Sequence, residues 1–359
     1  MDYAPPGANP PLYFYEGSNV SYCARNLLIT GGAGFIGSHF IDYLIKAAPN
    51  TKIINYDALT YAGSLNNTAT FCELPNYKFV HGNIVDSERV SKVIVDECID
   101  TIIHFAAESH VDRSISDSTI FLETNVKGTQ ILLESARQFW GKRFSFDSTL
   151  CRFYQISTDE VFGSLSMNAA PCVENGAYAP SSPYAASKAA ADHFAWAYYK
   201  TYQLPALVSY CTNNYGPRQH HEKFIPTIIN ACKQGQKIPI YGNGENRQDW
   251  IYVEDHCRAI YTILTQGKVG ESYTIAAQQE LANKELATII CSLLDRLFPA
   301  KMPYSQWIHF IPDRQGHDFR YAVNDAKIRS TFHWKPQISL TEGLIKTIHY
   351  WWTACEVAA

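Results

Sequence analysis

The sequence predicts an α/β protein with a doubly wound parallel sheet and a smaller, mixed α/β lobe that binds a substrate. Two observations support this fold class. Short apolar, β-branched runs alternate with longer helical patterns through the first 210 residues, and a glycine-rich turn joins the first run to the first helix. Strands that alternate with helices form βαβ units, whose parallel sheet is covered on both faces. A ligand is therefore expected at the carboxyl ends of these strands.

The elements of this sheet can be assigned in order along the chain. Strands are expected at Asn26–Thr30, Lys52–Tyr56, Tyr77–His81, Thr101–Phe105, Arg152–Ser157 and Ala206–Tyr210. Helical periodicity between them predicts helices that include Gly34–Lys46, Glu88–Cys98, Asn125–Phe139 and Tyr184–Thr201.

The pattern loosens after residue 210, which indicates the smaller lobe. Loops rich in Gly, Asn and Pro are expected at Asn213–Arg218, Tyr241–Arg247 and Pro312–His317. Helices are expected at Phe224–Gln234, Tyr252–Thr265, Asn283–Leu297 and Thr341–Trp352, the last with Trp351 and Trp352 as packing groups.

Composition excludes several classes of function. The 359 residues carry a net charge of −4 and contain no block of Lys and Arg, so neither nucleic acid nor a membrane surface is expected as a partner. The ten cysteines form no C-x-x-C pair and are expected to be reduced thiols. His220 and His221 lack a nearby third ligand, so no metal is expected.

The first 24 residues are expected to form a flexible or loosely docked extension. They contain Pro5, Pro6, Pro10 and Pro11, and they lack the basic start and apolar run of a signal peptide. No stretch of the chain resembles a transmembrane span. These features favour a cytoplasmic protein.

The glycine-rich turn indicates a dinucleotide site of the Rossmann type. Thr30–Gly37 follows a predicted strand and opens a predicted helix, so a pyrophosphate can lie against free backbone N–H groups. Asp57 lies twenty residues after Gly37, at the end of the second strand. A carboxylate there binds the adenosine ribose and repels a 2′-phosphate, which predicts NAD and not NADP. We therefore expect an extension at 1–24, an NAD-binding domain at 25–210, and a mainly substrate-binding lobe at 211–359 with segments returning to the first domain.

Tyr184 and Lys188 are candidate catalytic residues. They lie four apart on a predicted helix and so share one face. A nearby ammonium is expected to lower the pKa of the phenol, which can then remove a hydroxyl proton while a hydride leaves for nicotinamide.

Thr158, Asp159 and Glu160 lie just beyond a strand's carboxyl end, where a reacting sugar is expected. Removing water from a hexose requires an acid for the departing C6 hydroxyl and a base for the C5 proton. Neighbouring carboxyl groups can divide these roles if their surroundings separate their pKa values. The alternative reading is a surface turn or a helix N-cap.

These motifs, in this order, resemble extended short-chain dehydrogenases/reductases of the dTDP-glucose 4,6-dehydratase family. The resemblance covers about residues 25–350. It rests on GGAGFIGSHF (31–40), YDALTYAGSL (56–65), HFAAESHVDRSI (104–115), ISTDEVFG (156–163), SPYAASKAA (182–190), NNYGPRQHHEKFIP (213–226), DWIYVEDH (249–256) and DRQGHD (313–318). Sugar epimerases and decarboxylases share the glycine loop and Y-x-x-x-K but usually lack the Thr-Asp-Glu series.

The resemblance implies conversion of dTDP-glucose to its 4-keto-6-deoxy product and water, through transient oxidation by bound NAD. It implies that Tyr184, supported by Lys188, takes the C4 hydroxyl proton and that Thr158 hydrogen-bonds the C4 oxygen. Glu160 would remove the C5 proton, and Asp159 would protonate the departing hydroxyl.

The resemblance also implies the contacts of both ligands. Those with the cofactor would be made by Gly31, Gly34, Phe35, Ile36, Gly37, Asp57, Leu59, Thr60, Gly63, Asn83, Ile84, Phe105, Ala106, Ala107, Ser109, Thr124, Tyr184, Lys188 and Asn214. Those with the nucleotide sugar would be made by Ser109, Thr158, Asn213, Lys223, Phe224, Pro239, Ile240, Tyr241, Arg247, Gln248, Asn283, Arg314 and His317.

Three positions depart from the family pattern. Asn83 replaces the usual Asp near the adenine, and Ala58 replaces a common Lys after the ribose-binding Asp57. Gln248 stands where the family has a diphosphate-binding Arg, with Arg247 one residue earlier. Losing that charge should weaken substrate binding unless Arg247 reaches the phosphate.

Several alternatives remain open at this point. A 4-epimerase or a uronate decarboxylase would keep Tyr184 and Lys188 but would not need Asp159 and Glu160 as an acid–base pair. A protein that binds NAD and a nucleotide without turnover is a rival of another class. Uridine could replace thymidine in the substrate. Relatives are usually homodimers through paired helices, which the apolar positions of Asn125–Phe139 and Tyr184–Thr201 permit.

Overall fold

The computed structural model describes residues 22–353, so most of the expected extension lies outside the described residues. A seven-stranded sheet forms the centre, with strand order β10-β6-β5-β4-β1-β2-β3 and parallel pairing throughout. The strands of the described region are β1 (Asn26–Thr30), β2 (Lys52–Asp57), β3 (Tyr77–His81), β4 (Thr101–His104), β5 (Arg152–Thr158), β6 (Ala206–Cys211), β7 (Asn213–Tyr215), β8 (Ile238–Tyr241), β9 (Arg247–Tyr252), β10 (Ser272–Ile275), β11 (Glu280–Ala282) and β12 (Ile308–Ile311). The predicted fold class is confirmed.

Helices cover both faces of this sheet and build the second lobe. They are α1 (Phe35–Ala47), α2 (Ser87–Asp96), α3 (Val111–Ser116), α4 (Thr119–Phe121), α5 (Thr129–Arg143), α6 (Pro183–Tyr202), α7 (Phe224–Gln234), α8 (Val253–Gln266), α9 (Asn283–Leu297), α10 (Ala326–Phe332) and α11 (Leu340–Thr353). A π-helical segment, Leu122–Gly128, connects α4 to α5. The helix expected to start at Asn125 therefore begins earlier, and its irregular turn lies beside the cavity described below.

The six strands expected in the first 210 residues are present with boundaries within one residue of those predicted. Their side chains are almost entirely buried on both faces in β1, β2, β4, β5 and β6. Burial on both faces suits the apolar runs from which these strands were predicted. The carboxyl ends of β1, β4 and β5 consequently meet at one edge of the sheet.

The seventh strand comes from the second half of the chain and was not predicted. β10 pairs with β6, with Ser272 opposite Val208 and Ile275 opposite Cys211. Helix α8, from the same half of the chain, packs against α1. The segment expected as a loop at Asn213–Arg218 begins with β7. Strands of three or four residues are difficult to recognise outside the regular strand–helix alternation of the first 210 residues.

The second lobe has its own apolar core. Its sheets have the orders β11-β9-β7 and β12-β8, and α7, α9 and α11 pack around them. Trp352 stacks on Phe298 with ring centroids 4.5 Å apart, in agreement with its expected packing role.

Tyr22, three residues before the expected start of the first domain, is part of the buried core. Its side chain is 2% exposed, and its hydroxyl lies 2.6 Å from the Thr101 hydroxyl. The Arg152 guanidinium lies over its ring at 4.1 Å. Within residues 22–353, no helix combines the length and apolar character needed to cross a membrane.

Candidate active site

The glycine turn connects β1 to α1 in close contact with the backbone that follows β4. Gly31 has φ +73°, and a Cβ on it would lie 2.7 Å from the Ala106 nitrogen. Gly34 precedes α1 and provides no side-chain cap, so the N–H groups of the first turn remain available to an anion. This geometry fits the pyrophosphate of a dinucleotide.

Asp57 lies at the carboxyl end of β2, where its carboxylate closes the same turn. One oxygen accepts a hydrogen bond from the Ala33 N–H at 2.9 Å, and the other accepts one from the Leu59 N–H at 2.8 Å. Burial raises the pKa of Asp57, and these two hydrogen bonds oppose that rise. Leu59 thus contributes its backbone to the turn and does not line the cavity itself.

A cavity runs from the glycine turn to the ends of β5 and β6 and brings together most of the expected cofactor and catalytic residues. Those that line it are Gly31, Gly34, Phe35, Ile36, Gly37, Asp57, Thr60, Gly63, Asn83, Ile84, Phe105, Ala106, Ala107, Ser109, Thr124, Thr158, Glu160, Tyr184, Lys188, Asn214 and Lys223. One continuous space can therefore hold a dinucleotide at one end and a second reactant at the other.

Thr158 ends β5 and caps the short 3-10 turn Asp159–Phe162. Its hydroxyl accepts a hydrogen bond from the Glu160 N–H at 3.3 Å and lies 3.4 Å from the Asp159 carboxylate. Glu160 lines the cavity, whereas Asp159 is buried behind Thr158 and does not line it. Thr158 therefore acts as the N-cap of the short turn. The same turn directs the Glu160 side chain into the cavity.

The surroundings of the two carboxyl groups differ. Burial raises the pKa of Asp159 well above its usual value, and the charges of Glu160 and Asp249 raise it further. Burial also raises the pKa of Glu160, but the Arg314 and Lys223 cations oppose that rise. These surroundings favour the protonated form of Asp159, whereas two cations favour the ionised form of Glu160.

Helix α6 places Tyr184 and Lys188 opposite this turn. The helix starts at Pro183, and the Ser182 hydroxyl accepts a hydrogen bond from the Ala185 N–H at 3.1 Å. Tyr184 follows in the first turn. The Lys188 ammonium donates to the Ile156 carbonyl on β5 at 2.7 Å, which ties the helix to the strand that carries Thr158.

The pKa of Tyr184 differs from the sequence-based expectation. Burial raises it well above the usual value, the charges of Glu160 and Asp159 add to the rise, and a hydrogen bond with Thr158 opposes it. Without ligands, therefore, the phenol keeps its proton. The sequence-based expectation took account of the Lys188 ammonium, four residues away. It could not include Glu160 and Asp159, which come close to Tyr184 only in the folded chain.

The expected substrate residues divide between the cavity and its rim. The Lys223 ammonium donates to the Ser109 carbonyl at 2.8 Å inside the cavity. At the rim, Tyr241 donates to Asp112 at 3.1 Å, and the Arg314 guanidinium approaches the same carboxylate at 3.4 Å. His317 lies against the Tyr241 ring, with centroids 6.0 Å apart.

Arg247 and Gln248 are neighbours on β9 and face in opposite directions, as successive strand residues do. Gln248 accepts a hydrogen bond from the Asn213 amide, whereas the Arg247 guanidinium lies 3.5 Å from Glu285 and donates to the Glu280 carbonyl at 3.3 Å. Arg247 is therefore engaged with Glu280 and Glu285, and its contact with a phosphate stays a prediction.

Four other expected substrate residues lie outside the cavity. Phe224 stacks on Trp250, Ile240 is fully buried in the second core, and Pro239 is exposed. Asn283 is buried, and its amide oxygen has no hydrogen-bond partner among residues 22–353.

Sequence reasoning missed several residues of the site. Asn125, in the π-helical segment, bonds both the N–H and the carbonyl of Glu108 at 2.8 and 3.0 Å and donates to Ser187 at 2.8 Å. Tyr61, His220 and His256 line the cavity. All three lie in motifs quoted above for the family resemblance, and this placement was the signal that could have found them. Within residues 22–353, no three His, Cys, Asp or Glu side chains are grouped as a metal site.

Comparisons with known proteins agree with this geometry. Residues 28–347 match the family model described as GDP-mannose 4,6 dehydratase. The chain is 44% identical over 333 residues to the dTDP-glucose 4,6-dehydratase of Shigella flexneri. The matched region covers 90% of this chain and 92% of that protein. The corresponding enzyme of Neisseria gonorrhoeae is 45% identical over 333 residues, with 91% and 95% covered.

Solved structures agree as well. The dTDP-glucose 4,6-dehydratase of Streptomyces venezuelae, crystallised with NAD bound, has a TM-score of 0.83 at 42% identity and covers 91% of this chain and 96% of its own. A UDP-glucose 4-epimerase of Thermus thermophilus has a TM-score of 0.80 at 24% identity, with 92% and 100% covered, and shares the fold.

The close approach of Gly31 to Ala106 generates a prediction. Gly31→Ala should weaken NAD binding by about tenfold or more, because the left-handed backbone costs about 1–2 kcal/mol and the new methyl meets rigid backbone. Calorimetric titration with NAD measures this change. Gly235→Ala is the matched control: it is also left-handed, has open space around it, and lies at the end of α7. Equal NAD affinity in both variants would contradict the role of the turn.

Proposed function

This chain belongs to the GDP-mannose 4,6 dehydratase family, and we propose that it is an NAD-dependent dTDP-glucose 4,6-dehydratase. It converts dTDP-D-glucose to dTDP-4-dehydro-6-deoxy-D-glucose and water. The relatives that carry this name are 43–45% identical over about nine-tenths of the chain.

The observation that carries the proposal is the unequal environment of Asp159 and Glu160. Dehydration needs a protonated acid and an ionised base on one sugar, and surroundings that separate the pKa values of two carboxyl groups assign one role to each. Burial and two like charges raise the pKa of Asp159 and favour its protonated form, while Arg314 and Lys223 favour the ionised form of Glu160. Both carboxyl groups raise the pKa of Tyr184.

We assign the steps as follows. Tyr184 first loses its own proton, and as the phenolate it takes the proton of the C4 hydroxyl, whose oxygen is held by Thr158. Bound NAD would supply the hydride acceptor for C4 and the hydride donor for C6. The C4 ketone acidifies the C5 proton, which Glu160 removes. Asp159 gives its proton to the departing C6 hydroxyl, which requires its side chain to turn from its buried position toward the cavity. Glu160 then returns a proton to C5. The proton gained by Tyr184 replaces the one lost by Asp159, so the net change is the loss of one water.

The cavity supports NAD as the cofactor. The turn at Gly31 and the uncapped start of α1 fit a pyrophosphate, and the buried Asp57 carboxylate disfavours a 2′-phosphate. The remaining cofactor contacts are proposed for the lining residues given above. An epimerase would use the same cavity but would not require different environments for Asp159 and Glu160.

The first prediction of this assignment concerns turnover. Purified protein incubated with dTDP-glucose should yield the 4-keto-6-deoxy product without added reductant, because the hydride removed at C4 returns at C6. In deuterated solvent the product should carry deuterium at C5, which mass spectrometry and NMR detect. Recovery of galactose, or of unaltered glucose, would contradict the assignment. UDP-glucose in a parallel reaction tests the uridine alternative.

A second prediction separates oxidation from water loss. Glu160→Gln should block formation of the product yet still allow partial reduction of bound NAD, since the base for C5 is lost and Tyr184 remains. Absorbance of the reduced nicotinamide measures this after mixing with dTDP-glucose. Glu174→Gln, which changes a carboxylate that holds Thr274 outside the cavity, should turn over normally. Normal turnover by Glu160→Gln would place the base elsewhere.

We propose a homodimer in which α6 packs against its copy. Ala186, Phe194 and Ala197 are exposed on one side of this helix, and Phe194 is 37% exposed. Phe194→Glu should shift the mass measured by light scattering from two chains to one, whereas Phe310→Glu, at an exposed site on β12, should not. A wild-type protein with the mass of one chain would contradict this proposal.

We also propose a cytoplasmic location, because the nine cysteines of the described region are free thiols. A disulfide in the native purified protein would argue against it.

A further inference from the structure

Asp192 is a fully buried carboxylate that the steps above do not use. It follows Tyr184 and Lys188 at the same spacing of four residues on α6, so the three side chains share one side of the helix. An ionised carboxylate in the interior is costly unless it is compensated by hydrogen bonds and an opposite charge.

The hydrogen bonds of Asp192 come from two directions. The Ser157 hydroxyl donates to Oδ2 at 2.5 Å, and the Tyr178 hydroxyl donates to the same oxygen at 3.2 Å. Tyr178 is in turn 2.6 Å from the Tyr210 hydroxyl. Gln155, on β5, is a further hydrogen-bonding group that lowers the pKa of Asp192.

Lys188, one helical turn before Asp192 on the same buried side of α6, is the nearby opposite charge, although the two groups form no direct ion pair in the described residues. Burial lowers the pKa of the Lys188 ammonium, and the charge of Asp192 opposes that change. Burial likewise raises the pKa of Asp192 to about 6, and the positive charge of Lys188 is the largest effect that opposes this rise. The attraction acts in both directions, and each group helps the other remain ionised in the interior.

The other titratable groups around this pair are uncharged near neutral pH. Burial lowers the pKa of His104, on β4, to about 3. Burial raises the pKa values of Tyr178 and Tyr210, and the Asp192 charge raises both further. Tyr184 also keeps its proton. Asp192 is thus the anion that acts on Lys188.

We propose that Asp192 is a positioning residue that keeps Lys188 an ammonium and, through Ser157, holds the end of β5 that carries Thr158 and Glu160. This proposal rests on the proposed function, because it assumes that Lys188 supports catalysis and binds NAD in its charged form. The Asp192 carboxylate does not line the cavity and acts through Lys188.

The test is the alkaline side of the pH profile of Asp192→Asn. Without the anion the charged form of Lys188 is less stable, so its pKa falls and activity should be lost at a lower pH than in the wild type. A shift of about one unit is expected, which corresponds to about a tenfold loss of kcat/KM at a pH above the shifted limb. The dissociation constant for NAD, measured by calorimetry over the same range, should begin to rise at the same lower pH.

Tyr178→Phe is the matched control. It removes one donor from Asp192 and keeps the carboxylate, so it can lower thermal stability but should leave the alkaline limb in place. A folded Asp192→Asn protein with the wild-type limb would overturn the proposal, as would an equal shift in Tyr178→Phe. If Asp192→Asn does not fold, Asp192→Ser, which leaves room for a water, takes its place. The NAD titration does not depend on turnover of dTDP-glucose, so failure of the proposed function would leave this test intact.

Discussion

The structure depends on the burial of several ionisable side chains in one small space at the end of β5. Asp159, Tyr184 and Lys188 are buried and Glu160 is partly buried, so each would favour its neutral form if it were alone. Their protonation states are therefore set by which charges face which group. Water at this site would screen those charges and reduce the difference between the two carboxyl groups.

The parallel sheet explains how residues far apart in sequence come to share that space. β5 carries the Thr158 turn, β2 ends at Asp57, and the glycine turn follows β1, so three separate chemical parts meet at the same edge. Helix α6 is fixed to β5 twice, by the bond from Lys188 to the Ile156 carbonyl and by the bond from Ser157 to Asp192. Movement of the helix relative to the strand would break both bonds, so the spacing between phenol and carboxyl groups is held by the interior.

Local sequence patterns predicted the parts of the fold that depend on neighbours along the chain. The strands from Asn26 to Cys211 are long enough for their apolar runs to be recognised, and the turn at Gly31 has a specific motif. β10 was missed because its four residues form a strand only by pairing with β6, which is distant in sequence. The raised pKa of Tyr184 was missed for the same reason, since Glu160 and Asp159 approach it only in the folded chain. Motifs thus identified candidate residues, whereas their charge states required the three-dimensional arrangement.

The second lobe also contributes charge to the end of β5. Lys223 precedes α7 and Arg314 follows β12, yet both cations act on Glu160 at the end of a strand of the first domain. Without them, no cation would oppose the rise that burial and the Asp318 charge produce in the pKa of Glu160, and its surroundings would be closer to those of Asp159. The difference between the two carboxyl groups is therefore a property of both lobes together. It does not depend on Gln248, whose side chain is engaged with Asn213.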